Sequence, residues 1–231
     1  MSEDPFVMIA RALAQHGGEE VSRPGLSCYV ALGDSFTAGT GSEPGLCWAD
    51  RLAVALRARN PGLAYRNLAT DGATSAEVLS QLDEAVELEP DLVTVVCGAN
   101  DVLRSTRPDA LAYAKRLTTV LHRLRAAVPG MIVMTATSPD CWEFVRLGPR
   151  TRERIETGMR RFNRVTQRVA KAHQIPCLDV AGHPGLRDRG NFAGDGLHPS
   201  PRGHAHAARA FAQVLREHYQ IPIGHLDGDA A

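Results

Sequence analysis

The stretch that decides the fold is Cys28-Tyr-Val-Ala-Leu32, which leads directly into Gly33-Asp34-Ser35. Similar apolar runs recur along the chain: Leu92-Val-Thr-Val-Val-Cys97, Met131-Ile-Val-Met-Thr-Ala136 and Ile175-Pro-Cys-Leu178. A weaker candidate for a strand is the segment from Ala64 to Leu68. They are rich in β-branched residues and do not alternate with polar ones. This pattern predicts parallel strands that are buried on both faces.

Segments with helical period separate these runs. One apolar stripe steps by three and four through Ala114, Leu117, Leu121, Leu124 and Val128, and another does so through Ile155, Met159, Phe162, Val165 and Val169. Thr74 and Glu77 form a capping-box pattern, and Ser200-Pro201 begins a last helix. Alternating strands and helices predict an α/β fold with a mainly parallel sheet.

Composition narrows the class of protein. The chain has 231 residues, suited to one domain, and its 26 Lys plus Arg balance 26 Asp plus Glu. We therefore expect no nucleic-acid partner and no stable membrane association, and no apolar run reaches the roughly 20 residues of a membrane span. The arginines between Arg152 and Arg168 are interpreted as a solvated helix face.

The chain divides into a main domain and two short ends. We expect an N-terminal extension, helical, over residues 1–24, a domain over 25–220, and a loosely held tail over 221–231. The first residues lack the basic start and apolar run of a secretory signal. The five cysteines are widely spaced without a C-x-x-C pair, which argues against disulfides and a zinc site. These features predict a cytoplasmic protein with reduced thiols.

Residues suited to acyl transfer follow the predicted strands. Ser35 lies behind the first run, and Asp195 and His198 are three residues apart in a loop near the C-terminus. Histidine is the usual base for a serine nucleophile, and an aspartate orients the imidazole. The backbone N–H groups of Ser35 and Gly72, with the side-chain amide of Asn100, are candidate donors to an oxyanion.

Together these segments resemble the SGNH hydrolase (GDSL esterase/lipase) superfamily from about Ser27 to Tyr219. Gly33-Asp34-Ser35 is similar to its first block, although Phe36 replaces the usual leucine; the other blocks are matched by Asn67 to Gly72, by Gly98-Ala99-Asn100-Asp101, and by Asp195 with His198. The resemblance implies a three-layer α/β/α sandwich with a five-stranded parallel sheet, flavodoxin-like. It also implies a serine esterase with Ser35, His198 and Asp195 as catalytic residues and Ser35, Gly72 and Asn100 as the oxyanion hole. No metal or organic cofactor is implied.

The substrate and the alternative functions stay open at this stage. Phe36, Trp142 and Phe144 are candidates for a substrate pocket, and the expected partner is a small-molecule ester. The same acyl-enzyme would serve an acyltransferase, and a binding module would keep the fold without turnover. A metal-dependent phosphoesterase would instead use the acidic residues Asp34, Asp71, Asp101 and Asp195. Oligomeric state and the identity of the ester are not predicted.

Overall fold

The sheet is the one that the apolar runs predict. The computed structural model describes residues 26–226, which contain the strands β1 (Cys28–Gly33), β2 (Ala64–Asn67), β3 (Leu92–Val96), β4 (Ile132–Ala136) and β5 (Cys177–Leu178). All neighbours are parallel, in the order β2-β1-β3-β4-β5. Every residue of β1, β3 and β4 is buried, whereas the edge strand β2 alternates between exposed and half-buried residues. That difference explains why β2 has the weaker sequence signal.

Helices cover both faces of this sheet. They are α1 (Ser35–Ala38), α2 (Trp48–Arg57), α3 (Ser75–Ser80), α4 (Leu82–Glu87), α5 (Ala99–Leu103), α6 (Ala110–Ala127), α7 (Pro149–Ala172) and α8 (Pro201–Tyr219), with 3₁₀ turns at Pro184–Arg187 and Arg189–Asn191. Alternate residues of β1 enter two separate cores: Tyr29 faces α2 and α8, and Val30 faces α3, α4, α6 and α7. The predicted three-layer α/β/α sandwich is confirmed.

Aromatic pairs lie at the centre of each core. Trp48 of α2 stacks on Phe211 of α8 with ring centroids 4.2 Å apart, and Tyr113 of α6 stacks on Phe162 of α7 at 4.6 Å. The hydroxyl of Tyr113 is 2.7 Å from that of Thr166, so its polar end is also satisfied. These pairs hold α2 against α8 and α6 against α7.

Three features differ from the sequence-based expectations. The helix α2 was not anticipated, because its capping residue is Cys47, whose sulfur accepts from the N–H of Asp50. The capping box of Thr74 and Glu77 predicts one helix with a buried side that extends to Val86, but Gln81 divides this segment into α3 and α4. A loosely held tail is predicted over residues 221–231, whereas in its described part, residues 221–226, Ile221, Ile223 and Leu226 are buried against the core of α2 and α8.

The ends of the chain are described only in part. The predicted helical extension over residues 1–24 and the last residues, 227–231, lie outside the described residues. Within 26–226, no helix combines the length and the hydropathy that crossing a bilayer requires. All five cysteines are free thiols; Cys28, Cys47 and Cys97 are buried.

Candidate active site

Ser35 is held where the central strand β1 meets a short helix. It is the first residue of α1, and the preceding Asp34 caps that helix by accepting the N–H of Phe36 at 3.1 Å. The side-chain amide of Gln81 bonds both the N–H and the carbonyl of Gly33, each at 3.0 Å. The serine therefore stands on backbone that is fixed from both sides.

His198 reaches this serine across 163 positions of sequence. Its Nε2 lies 3.0 Å from Ser35 Oγ, and its Nδ1 lies 2.6 Å from Asp195 Oδ2. The other carboxylate oxygen of Asp195 accepts the N–H groups of Leu197 and His198, at 2.9 and 3.1 Å. The spacing of three residues thus serves two purposes, since one carboxylate closes the turn and also contacts the imidazole.

The charge of Asp195 sets the direction of these hydrogen bonds. Partial burial opposes ionisation, but the hydrogen bond from the His198 ring and the N–H groups of Leu197 and His198 outweigh it and lower the pKa of Asp195. An ionised carboxylate can only accept, so Nδ1 carries the proton. In the neutral form of the imidazole, the Nε2 lone pair then faces the serine hydroxyl.

Close packing fixes the loop that carries this pair, residues 192–199, which we call the acid–base loop. Its ends meet in an antiparallel bridge between Phe192 and Pro199, and Ala193 donates to the carbonyl of His198 at 2.8 Å. Gly196 has a φ of +75°, and a Cβ at this position would lie 2.3 Å from the carbonyl oxygen of Phe144. The loop therefore needs glycine at this position.

Gly72 lies in a tight turn beside the serine. Ala73 donates to the carbonyl of Thr70 at 3.1 Å and Gly72 has a φ of +73°, which together are the signature of a type II turn. Thr70 donates to the carbonyl of Gly33 at 3.1 Å, which joins this turn to the end of β1. Among the described residues, the N–H of Gly72 has no acceptor.

Asn100 approaches the same turn from the next strand. It lies in α5, the helix that follows β3, and its Nδ2 donates to the carbonyl of Ala73 at 3.1 Å. A side-chain amide has two N–H groups, so this bond leaves one of them for another acceptor. The structure thus brings Ser35, His198 and Asp195 into a hydrogen-bonded chain, with the Gly72 turn and Asn100 tied to the same edge of the sheet.

Asp34 is a buried acidic group that the sequence suggested only as a metal ligand. Its side chain is only 3% exposed. Burial raises its pKa to about 7, against the lowering effects of the Phe36 N–H and of His198, and nearby Asp101 raises it further. The sequence signal for its capping role is its place before a short helix, where aspartates are common.

Comparison with known proteins identifies the family. Residues 31–206 match the GDSL-like lipase/acylhydrolase family. The chain belongs to that family. It is accordingly a hydrolase of the esterase/lipase type.

Individual relatives agree with this assignment. The hydrolase is 24% identical to an arylesterase of Vibrio mimicus over 190 residues, which cover 82% of this chain and 88% of the relative. Among solved structures it resembles an α/β hydrolase enzyme from the metagenome of Lake Arreo, Spain (27% identity, TM-score 0.66, 81% of this chain and 94% of that chain). It also resembles the lipase/acylhydrolase from Enterococcus faecalis (25%, TM-score 0.68, 89% and 100%).

The three candidate pocket residues of the hydrolase lie in different surroundings. Phe36 lines a mostly apolar cavity together with Leu197 and Pro199, the neighbours of His198. Trp142 is buried, and its indole N–H donates to Asp140 at 2.7 Å. Phe144 packs on Phe192 at 5.2 Å, beneath the guanidinium of Arg189, and so supports the acid–base loop.

The aspartates weighed for a metal site are engaged separately. Asp101 accepts from the N–H and the hydroxyl of Ser75, at 2.7 and 2.6 Å, and Asp71 accepts from the hydroxyl of Thr40 at 2.9 Å. Across residues 26–226, no three His, Cys, Asp or Glu side chains are grouped to hold a metal ion. Asp101 instead anchors the first turn of α3, a role that sequence reasoning missed.

Proposed function

We propose that the protein is a serine esterase that hydrolyses carboxylic esters through Ser35, His198 and Asp195. The observation that carries this proposal is the continuous chain of hydrogen bonds from Asp195 Oδ2 through the His198 ring to Ser35 Oγ, with separations of 2.6 and 3.0 Å. These distances lie within the range that proton transfer between a nucleophile and its base requires.

In the first half of the reaction, Ser35 is acylated. As Oγ forms a bond to the ester carbonyl carbon, its proton passes to Nε2 of His198. The resulting tetrahedral intermediate collapses by breaking the bond to the alcohol oxygen, which takes the proton from the imidazolium. Asp195 remains ionised throughout and stabilises the imidazolium next to it.

The negative charge on the carbonyl oxygen needs donors during this step. We assign this role to the N–H groups of Ser35 and Gly72 and to the free N–H of the Asn100 amide. Ser35 is at the N-terminus of α1, where backbone N–H groups lack helical acceptors, and the Gly72 N–H is likewise without one among the described residues. Preorganised donors of this kind supply a large part of catalysis in acyl transfer.

In the second half, water replaces the alcohol. His198 takes a proton from the water molecule as the water oxygen attacks the acyl carbon. The bond between the acyl carbon and Ser35 Oγ then breaks, and Oγ regains its proton from the His198 imidazolium. The product is a carboxylic acid and free enzyme. The arylesterase of Vibrio mimicus and the lipase/acylhydrolase of Enterococcus faecalis support a carboxylic ester as the substrate class.

The proposal is tested by labelling and turnover together. A fluorophosphonate should add to Ser35, identified by peptide mass spectrometry, and should abolish release of nitrophenol from short-chain nitrophenyl esters. Ser35→Ala should lose both properties. Ser80→Ala is the matched control, because Ser80 is an exposed serine on α3. Labelling at another residue, or full turnover by Ser35→Ala, would refute the proposal.

A further inference from the structure

Arg104 contacts the Gly72 turn from outside. It follows α5 directly, and its Nη1 donates to the carbonyl oxygen of Gly72 at 2.9 Å. The same nitrogen lies 3.5 Å from the carboxylate of Glu77. The guanidinium of Arg104 is thus turned to the backbone of the turn.

This contact fixes one peptide plane at both of its ends. In the peptide between Gly72 and Ala73, the N–H of Ala73 donates to the carbonyl of Thr70, and the carbonyl of Gly72 accepts from Arg104. A glycine at positive φ has no side chain to define its conformation, and type I and type II turns interconvert by rotation of the central peptide. In this turn the central peptide carries the N–H of Gly72. Holding the next peptide opposes a rotation that would point that N–H elsewhere.

Glu77 keeps Arg104 in place. Its carboxylate accepts the N–H and the hydroxyl of Thr74, at 2.7 and 2.8 Å, so it is itself fixed to the residue that caps α3. Arg104 and Glu77 are 59% and 56% exposed. Exposed ion pairs contribute little to global stability, so removing this one should affect the turn without unfolding the protein.

We propose that Arg104 is a positioning residue that keeps the N–H of Gly72 directed at the oxyanion formed on Ser35. The inference rests on the proposed esterase mechanism. It assigns to Arg104 no contact with the substrate, so its effect falls on the transition state, where the oxyanion exists, and spares ground-state binding.

The test compares Arg104→Ala and Arg104→Lys with Arg123→Ala. Arg123 is the matched control, because it also forms an exposed ion pair, 2.7 Å from Asp83, on α6. With a neutral nitrophenyl ester, Arg104→Ala should lower kcat about 10-fold and leave KM within about twofold, since misplacing one donor costs less than its full removal. Arg104→Lys keeps a cationic donor and should recover part of kcat. Arg123→Ala should match the wild type.

A second measurement uses a boronic acid that forms a tetrahedral adduct with serine. Its affinity should fall in Arg104→Ala by the same factor as kcat, while thermal denaturation shows the variant folded. If Arg104→Ala does not fold, Arg104→Lys alone carries the test and should show the same paired loss in smaller measure.

Three results would overturn the inference. They are an unchanged kcat in folded Arg104→Ala, a loss confined to KM for esters that bear a carboxylate, and equal loss in Arg123→Ala. The esterase proposal fails separately, if Ser35→Ala retains turnover. An inactive Ser35→Ala beside a fully active Arg104→Ala would reject the role of Arg104 alone.

Discussion

The two sides of the Ser35–His198 contact are built in opposite ways. The nucleophile turn, residues 33–36, continues a buried central strand, and Asp34 within it is 3% exposed. The acid–base loop contains no helix or strand, and the side chain of Asp195 is 50% exposed. The core of the sheet holds the first region, whereas local turn hydrogen bonds and a close contact with Phe144 hold the second.

This difference separates what each region contributes. A group fixed by the core depends on the folding of the whole domain and is shielded from water. A group fixed by its own turn depends on a few local contacts, and water can partly replace a hydrogen bond that a substitution removes. We therefore expect substitutions in the two regions to differ in how activity, stability and pH dependence respond.

The largest expected effects test whether Ser35 and His198 act as one unit. Ser35→Ala and His198→Ala should each lower kcat about 10⁴-fold or more, and the double variant should lose no more than either one. Asp195→Ala should lower kcat by a factor that is at least roughly 10-fold smaller than for these variants. Asp195 is partly exposed, so water can replace it as the partner of the imidazole. Single-turnover kinetics on a nitrophenyl ester measure all four variants. Losses that multiply in the double variant would contradict the shared role.

Asn100→Ala should have the next largest effect. Loss of one oxyanion donor lowers kcat roughly 10²–10³-fold with little change in KM. The variant also removes the bond to the carbonyl of Ala73, so circular dichroism and thermal denaturation should accompany the kinetics. A rise in KM with an unchanged kcat would instead make Asn100 a group that binds the substrate uniformly.

Much of the fold could be predicted, because its central strands are buried on both faces. A short run of mostly apolar residues such as Leu92–Val96 is typical of a buried parallel strand, and the stripe through Leu117, Leu121 and Leu124 is buried as its period predicts. The capping patterns at Thr74 and Ser200 mark helix starts at those positions. Local rules were sufficient where local chemistry decides the structure.

The rest depends on contacts between distant residues, which no local rule contains. The packing of Gly196 on the backbone of Phe144 and the clasp of Gln81 on Gly33 join segments about 50 residues apart. Burial of Ile221 and Ile223 requires the groove that α2 and α8 form together. The motifs located Ser35 and His198, but the elements that hold them became visible only in three dimensions.

A pair of glycine variants compares the acid–base loop with the Gly72 turn. In Gly196→Ala, positive φ and the clash with Phe144 should cost roughly 2–4 kcal/mol of unfolding free energy and displace His198. In Gly72→Ala, no atom lies within 4 Å of the new Cβ, so only backbone strain of about 1 kcal/mol is expected.

Both glycine variants should lose kcat by about 10-fold, one through His198 and the other through the direction of an N–H group. Urea unfolding and kcat, measured on the same preparations, separate the loss of stability from the loss of activity in each variant. Equal stability losses would mean that the acid–base loop yields to the new methyl group as easily as the open turn does. A fully active Gly72→Ala would show that the N–H of residue 72 is not a donor to the oxyanion.

The smallest effect on activity, and the clearest on stability, is expected from Asp34→Asn. The pKa of Asp34 is raised by burial from 3.8 to about 7, so between these values the folded protein keeps a proton that the unfolded chain releases. Raising the pH through this window therefore destabilises the wild type, by on the order of 4 kcal/mol, and asparagine cannot titrate. Urea unfolding should show the stability of Asp34→Asn, relative to wild type, rising from pH 4 to pH 8.

Asp109→Asn is the matched control for this pH dependence. Asp109 also caps a helix, but it is exposed and hydrogen bonds from backbone N–H groups lower its pKa. Its ionisation is therefore complete in both states well below neutrality, and the difference between Asp109→Asn and wild type should stay constant from pH 5 to pH 8. If the difference for Asp34→Asn is equally flat over that range, water reaches Asp34 in the folded protein, and the nucleophile turn is as open to solvent as the acid–base loop.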